Sequence, residues 1–194
     1  LCDKHKMNIH IISHQGQFMH KGQKIAYCDI ELSDEQEDEI RGALIVNNHH
    51  SGTDSPEAGF KQLTEIGLKA LSPGINDPGT AITTLYYLSS LLMTRSSIPD
   101  EEYFQVADGN YILVERRMPF NGLMHNIIGQ YRLYCSDNLI LMLKIKKLLS
   151  AIYDQSDLNS KNKKAVKEQM NALIDDAKEN ISNEYDLEIF MSHE

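Results

Sequence analysis

The sequence predicts an α+β protein, with a small N-terminal β unit of barrel-like hairpins over residues 1–32 packed on a mainly helical part over residues 33–194, together one compact domain. Three observations lead there. Short β-branched and alternating runs dominate the chain before Ser33; apolar residues recur every three or four positions through most of the chain beyond it; and Asp108-Gly109-Asn110 separates two further strand-like runs inside the helical part. With 194 residues and 41% hydrophobic content, the chain can bury a sizeable core.

Met7–Ile12 and Lys24–Leu32 read as strands, the second alternating Ile25, Tyr27 and Asp29 with Ala26, Cys28 and Ile30. Gly16 and Gly22 mark two turns, and Phe18-Met19 between them suggests a third short strand. Ser33 and Gln36 have the spacing of a capping box, followed by acidic residues suited to a helix start. That helix runs to Arg41 and Leu44, before a loop containing Asn47, Asn48, Ser51 and Gly52.

A second helix, capped by Asp54 or Ser55 with Pro56 in its first turn, carries the stripe Phe60, Leu63, Ile66, Ala70 and Leu71. Ser72-Pro73-Gly74 stops it. Asp77-Pro78 then starts a helix with the stripe Ala81, Leu85, Leu88 and Leu92. Tyr103–Val106 and Tyr111–Val114 form a hairpin. From Phe120 to Tyr153 the helical period continues through Leu123, Ile127, Ile128, Tyr131, Leu139, Leu143 and Leu149, with a break near Cys135-Ser136-Asp137. A last helix spans Ser160–Ile181, using Val166, Met170, Leu173, Ile174 and Ala177.

Charge narrows the function classes. There are 28 acidic against 19 basic residues, and the net charge of −9 disfavours nucleic acid as a partner and repels anionic headgroups at long range. Cys2, Cys28 and Cys135 are odd in number and have no CxxC spacing, which argues against a disulfide framework or zinc ribbon and for a reducing compartment. The longest apolar run, Leu139–Leu143, is far too short for a span, so the residues read as soluble; the start at Leu1 gives the look of an excised fragment.

The candidate site is the corner between the second and third helices. Ser72, Asn76, Asp77 and Thr80 lie there, with His50 upstream as a further polar group. Small residues and a helix start could admit a ligand, but each residue also has a local architectural role: Asp77 as cap, Pro78 in the first turn, Gly74 for a positive φ, Asn76 for a turn bond. The Asp77 carboxylate would compete with an anion for the same amides. Adjacent His49 and His50 point apart on any regular element, Asp54 and His125 add no diagnostic spacing, and His5, His10, His14 and His20 read as surface residues of the β unit. No metal or cofactor is expected. No Gly-x-Ser-x-Gly elbow occurs, Cys135 reads as buried rather than nucleophilic, and acidic pairs such as Asp100-Glu101 and Asp175-Asp176 read as solvated charges. The Gly-rich rhythm of the β unit is similar to half of a biotinyl or lipoyl carrier barrel, yet Lys21 and Lys24 lack the flanking attachment pattern.

The run Ala70-Leu71-Ser72-Pro73-Gly74-Ile75-Asn76-Asp77-Pro78-Gly79-Thr80-Ala81, preceded by Gln62-Leu63-Thr64-Glu65-Ile66-Gly67-Leu68, resembles the hallmark of bacterial predicted membrane proteins catalogued as domain of unknown function 2254. Gly16-Gln17-Phe18-Met19-His20-Lys21-Gly22 and Gly59-Phe60 extend the likeness, which covers Met7–Met93. His50-Ser51 and Asp54-Ser55 stand where the family pattern has an Arg-Thr and a Gln-Asp pair, so a function built on those charges would not carry over. The resemblance implies a soluble C-terminal domain following transmembrane helices in the bacterial inner membrane, facing the cytoplasm. Its own transmembrane region is then a partner, and it senses a ligand or mediates assembly. A homodimer is expected, with the Ser160–Ile181 helix near the interface. The rival reading is a small-molecule enzyme using Asn76, Asp77 and His50.

Overall fold

The computed structural model describes residues 1–44, 55–105 and 111–192. It is a mixed α+β structure, as the sequence predicts, and it divides into two units: 1–55 with 99–118, and 56–98 with 119–194.

The first unit holds a four-stranded sheet in the order β2-β1-β4-β3, from β1 (Ile9–Ile11), β2 (Ala26–Cys28), β3 (Glu101–Gln105) and β4 (Ile112–Arg116). The hairpin β3–β4 joins the N-terminal strands, because β1 pairs antiparallel with β2 on one side and parallel with β4 on the other. Asn8 fastens that junction. Its backbone and side-chain N–H groups donate to the Asp29 carboxylate at 2.8 and 2.5 Å, while its side-chain oxygen accepts from the Ile112 amide at 2.8 Å. Ile9, Cys28 and Leu113 share one sheet face by register, and Cys2, Met7, Ile9 and Ile40 make the core against it.

Two helices complete this unit, α1 (Cys2–His5) and α2 (Asp34–Ala43). The capping box at α2 forms as read: Ser33 Oγ accepts from the Gln36 amide at 3.3 Å, and Gln36 Oε1 accepts from the Ser33 amide at 3.0 Å. Lys4 and His5 both reach Glu39 at 2.7 Å and so tie α1 to α2. The β unit is leaner than the alternation suggests. Gly16 and Gly22 do turn the chain at φ 76° and 84°, but Phe18-Met19 forms no strand and Phe18 is exposed, having no neighbour to complete a ladder. The Asp108-Gly109-Asn110 turn lies outside the described residues.

The second unit is helical. It contains α3 (Pro56–Ala70), α4 (Pro78–Ser96), α5 (Phe120–Met124), a π-helical turn (His125–Gly129), α6 (Gln130–Tyr134), α7 (Leu139–Tyr153), α8 (Ser160–Asn180) and α9 (Glu184–Ser192). The α4 stripe is buried at all four expected positions. On α3 the stripe holds in part: Phe60 and Ala70 are buried and Leu63 and Leu71 half-buried, but Ile66 is exposed, and Ala58, Thr64 and Gly67 also turn inward. Gly67 holds its inward place because α3 approaches Tyr131 too closely there for any side chain; a Cβ on Gly67 would lie 1.6 Å from the Tyr131 hydroxyl.

The π turn inserts an extra residue per turn and lets adjacent Ile127 and Ile128 both point inward before Tyr131 and Cys135. The expected break follows at Cys135–Asn138, and Asn138 Oδ1 caps α7 by accepting from the Leu141 amide at 3.1 Å. The chain continues past the last expected helix into α9, whose Phe190 is fully buried. A polar cluster closes the far ends of α4, α7 and α8. Ser96 Oγ donates to Gln155 Oε1 at 2.6 Å, and Asn162 Nδ2 donates to the Ser96 carbonyl at 2.9 Å.

Candidate functional site

The α3–α4 corner is built from backbone bonds before any side chain contributes. The Ser72 amide donates to the Lys69 carbonyl, the Ile75 and Asn76 amides both donate to the Ser72 carbonyl at 3.0 and 2.9 Å, and the Asp77 amide returns to the Ala70 carbonyl at 2.8 Å. The left-handed residue is Asn76, at φ 47°, and not Gly74 as the glycine suggests. Asparagine tolerates that region better than other residues with a Cβ, which leaves Gly74 without a conformational requirement there.

Asp77 caps α4 through both carboxylate oxygens. Oδ1 accepts from the Thr80 amide at 3.1 Å and Oδ2 accepts from the Thr80 hydroxyl at 2.5 Å. Those two bonds, hydroxyl first and amide second, hold the carboxyl below its ordinary pKa. Ser72 spends its hydroxyl on the Lys69 carbonyl at 2.7 Å. Ser72, Asp77 and Thr80 are thus engaged in closing the corner. Asn76 stands exposed beside them, and His50 lies outside the described residues, as do His49 and Asp54.

The corner is convex rather than enclosed, since every residue from Pro73 to Gly79 is exposed. The α3 helix offers a shallow, open groove of about 300 Å³ lined by Gln62, Glu65, Ile66 and Lys69, which contains none of the expected site residues. Among the described residues no group of three or more His, Cys, Asp or Glu side chains is placed to hold a metal ion. Cys135 is fully buried, and burial pushes its thiol up to about 12, the opposite of what a nucleophile needs. Among the described residues no helix is long and apolar enough to cross a membrane.

Beyond its buried stripe, α4 is unusual on the outside. The helix has no carboxylate and no lysine, so its solvent side carries Tyr86 and Tyr87 rather than charges. A helix whose one charged side chain, Arg95, is buried leaves its outer side uncharged, a signal separate from periodicity.

No solved structure matches the chain. Uncharacterized proteins of Mycobacterium bovis and Mycobacterium tuberculosis are similar to it, at 28% identity over 130 residues, covering 66% of this chain and 25% of each relative. The chain therefore spans only about a quarter of the length of these relatives. A model of the predicted membrane protein family, domain of unknown function 2254, matches residues 1–151, and the chain belongs to that family.

Proposed function

We propose that this chain is an extramembranous module of an integral membrane protein, on the cytoplasmic side of the bacterial inner membrane, that senses a ligand or mediates assembly for its membrane-embedded part. The observation that carries this reading is the combination of membership in a membrane-protein family with a corner whose polar groups cap one another. A catalytic site needs convergent groups in a concave pocket; here Ser72, Asp77 and Thr80 are committed to local bonds on an exposed turn. The free thiols of Cys2, Cys28 and Cys135 accord with a reducing compartment.

Assembly with a second copy belongs to the same reading. The apolar stripe of α8 packs within the chain against α5 and α7, with Leu173 and Ala177 fully buried and Met170 and Ile174 half-buried, and the homodimer is proposed with α8 near its interface through what that packing leaves accessible.

Two measurements on the intact protein test the proposal. Fusion of a cytoplasm-dependent fluorescent reporter and, separately, of a periplasm-dependent phosphatase next to this module should give membrane-bound fluorescence and no phosphatase activity. The reverse pattern, or a full-length protein found wholly in the soluble fraction, would overturn it. Native mass spectrometry of the module reports co-purified ligand and stoichiometry together; a bare monomer would remove both sensing and self-assembly from the reading.

A further inference from the structure

The outer side of α4 and α7 differs in charge from α2, α3, α8 and α9, each of which carries carboxylates. Tyr86 and Tyr87 are exposed on α4, Ile140 and Lys147 on α7, and the Lys144 ammonium lies 5.7 Å from the centre of the Tyr86 ring, joining the two helices' outer sides. Neither helix contains an Asp or Glu; Asp77, Asp137 and Asp154 stand only at their ends. A carboxylate-free surface spanning two helices is unexpected in a chain with 28 acidic residues and net charge −9.

From this we infer that the α4–α7 face rests on an anionic phospholipid surface, with Lys144 and Lys147 at the phosphates and the Tyr86, Tyr87 and Ile140 side chains at headgroup level. Tyrosine suits that depth because its ring is apolar and its hydroxyl polar, and lysine can lay its stem along apolar surface while its ammonium reaches phosphate. The net charge does not forbid the contact. Screening limits each charge's reach to about 10 Å at moderate ionic strength, so the sign of the nearest residues governs the approach. A second copy fits the face less well, since a two-fold axis would bring lysines toward lysines with no carboxylate between them. Weak lipid affinity suffices when the module is already tethered to a bilayer. The inference rests on the membrane-module reading, whose reporter fusions remain its separate check.

The chain has no tryptophan, so Tyr86→Trp installs a single fluorescent probe on the face, and Tyr185→Trp, on α9, a control at another exposed tyrosine. Vesicles of phosphatidylcholine containing phosphatidylglycerol should shift the emission of the Tyr86→Trp protein to the blue at about 0.1 M salt and leave the Tyr185→Trp protein unchanged. Adding Lys144→Glu and Lys147→Glu should weaken partitioning by more than about tenfold, given about fivefold per lysine near an anionic surface. Circular dichroism establishes that each variant is folded. A folded Tyr86→Trp protein with no shift, an equal shift at both positions, or a shift that follows protein concentration without lipid would each overturn the proposal, the last in favour of a second copy.

Discussion

The Thr84 and Tyr131 hydroxyls meet 2.6 Å apart in the buried space facing Gly67, joining α4 to α6 where α3 crosses them. Thr84 Oγ1 also donates to the Ala81 carbonyl at 2.8 Å, so Tyr131 acts as donor in the pair. Burial pushes the Tyr131 phenol above its ordinary pKa, and the neutral ring remains a donor throughout the working range.

Gly67→Ala should therefore destabilise the fold, by roughly 1–3 kcal/mol or more, because the new methyl would sit 1.6 Å from the Tyr131 hydroxyl and 2.5 Å from Thr84 Oγ1. Tyr131→Phe removes the nearer of these clashes. Chemical denaturation of both single variants and the double should show Gly67→Ala costing less in the Phe background; equal cost in both backgrounds would mean that the strain lies elsewhere.

The α4 stripe and the Ser33 capping box were legible because each depends on local spacing: Ala81, Leu85, Leu88 and Leu92 keep one helical face, and Ser33 needs only Gln36. The inward placement of Gly67 rather than Ile66 was not legible. It depends on Tyr131, far along the chain, and periodicity alone prefers the larger apolar side chain. For the same reason the parallel pairing of β1 with β4 and the bonds of Asn8 to both Asp29 and Ile112 could not be read from neighbouring residues. At the corner, Asp77 as cap is a local fact and was readable, whereas the left-handed conformation at Asn76 rather than Gly74 depends on how the chain returns to the Ala70 carbonyl.

Asp77→Ala should lower Tm by about 2–5 °C near neutral pH, and Asp77→Asn by less, since asparagine caps nearly as well. The carboxyl is held below its ordinary pKa by Thr80. Its contribution is thus complete above the unfolded Asp value and is lost as pH falls through the lower folded value. Thermal melts should show the gap between wild type and Asp77→Ala narrowing in acid; a gap that widens there would refute the capping role.

Thiol reactivity separates the three cysteines. Denatured protein should titrate three free thiols, while in the native state partly exposed Cys28 should react first and buried Cys2 and Cys135 slowly. Cys135, with its thiol pushed up to about 12, should remain unreactive at mildly alkaline pH until the helical unit opens. Rapid native labelling of Cys135, located by peptide mass, would show that its cover is easily displaced.

Phe190 and Lys146 anchor α9 on α7 in the helical part. Phe190 is fully buried, the Lys146 ammonium donates to the Phe190 carbonyl at 2.7 Å, and the same ammonium lies 5.0 Å from the ring centre. Phe190→Ala removes the ring and leaves a cavity, so it should cost roughly 3–5 kcal/mol if α9 stays docked. Phe190 is the one fully buried residue of α9, with Leu187 and Ile189 half-buried and Tyr185 and Met191 exposed, so undocking is the cheaper response. Local release would cap the global loss below that range and appear instead as fast amide exchange confined to 184–192. Lys146→Met keeps the stem's packing but deletes the bond to the Phe190 carbonyl, and should raise exchange in the same segment to a smaller degree. Hydrogen exchange read by mass spectrometry distinguishes the cases; if Phe190→Ala loosens the whole second unit uniformly, α9 belongs to its cooperative core and the docking account fails.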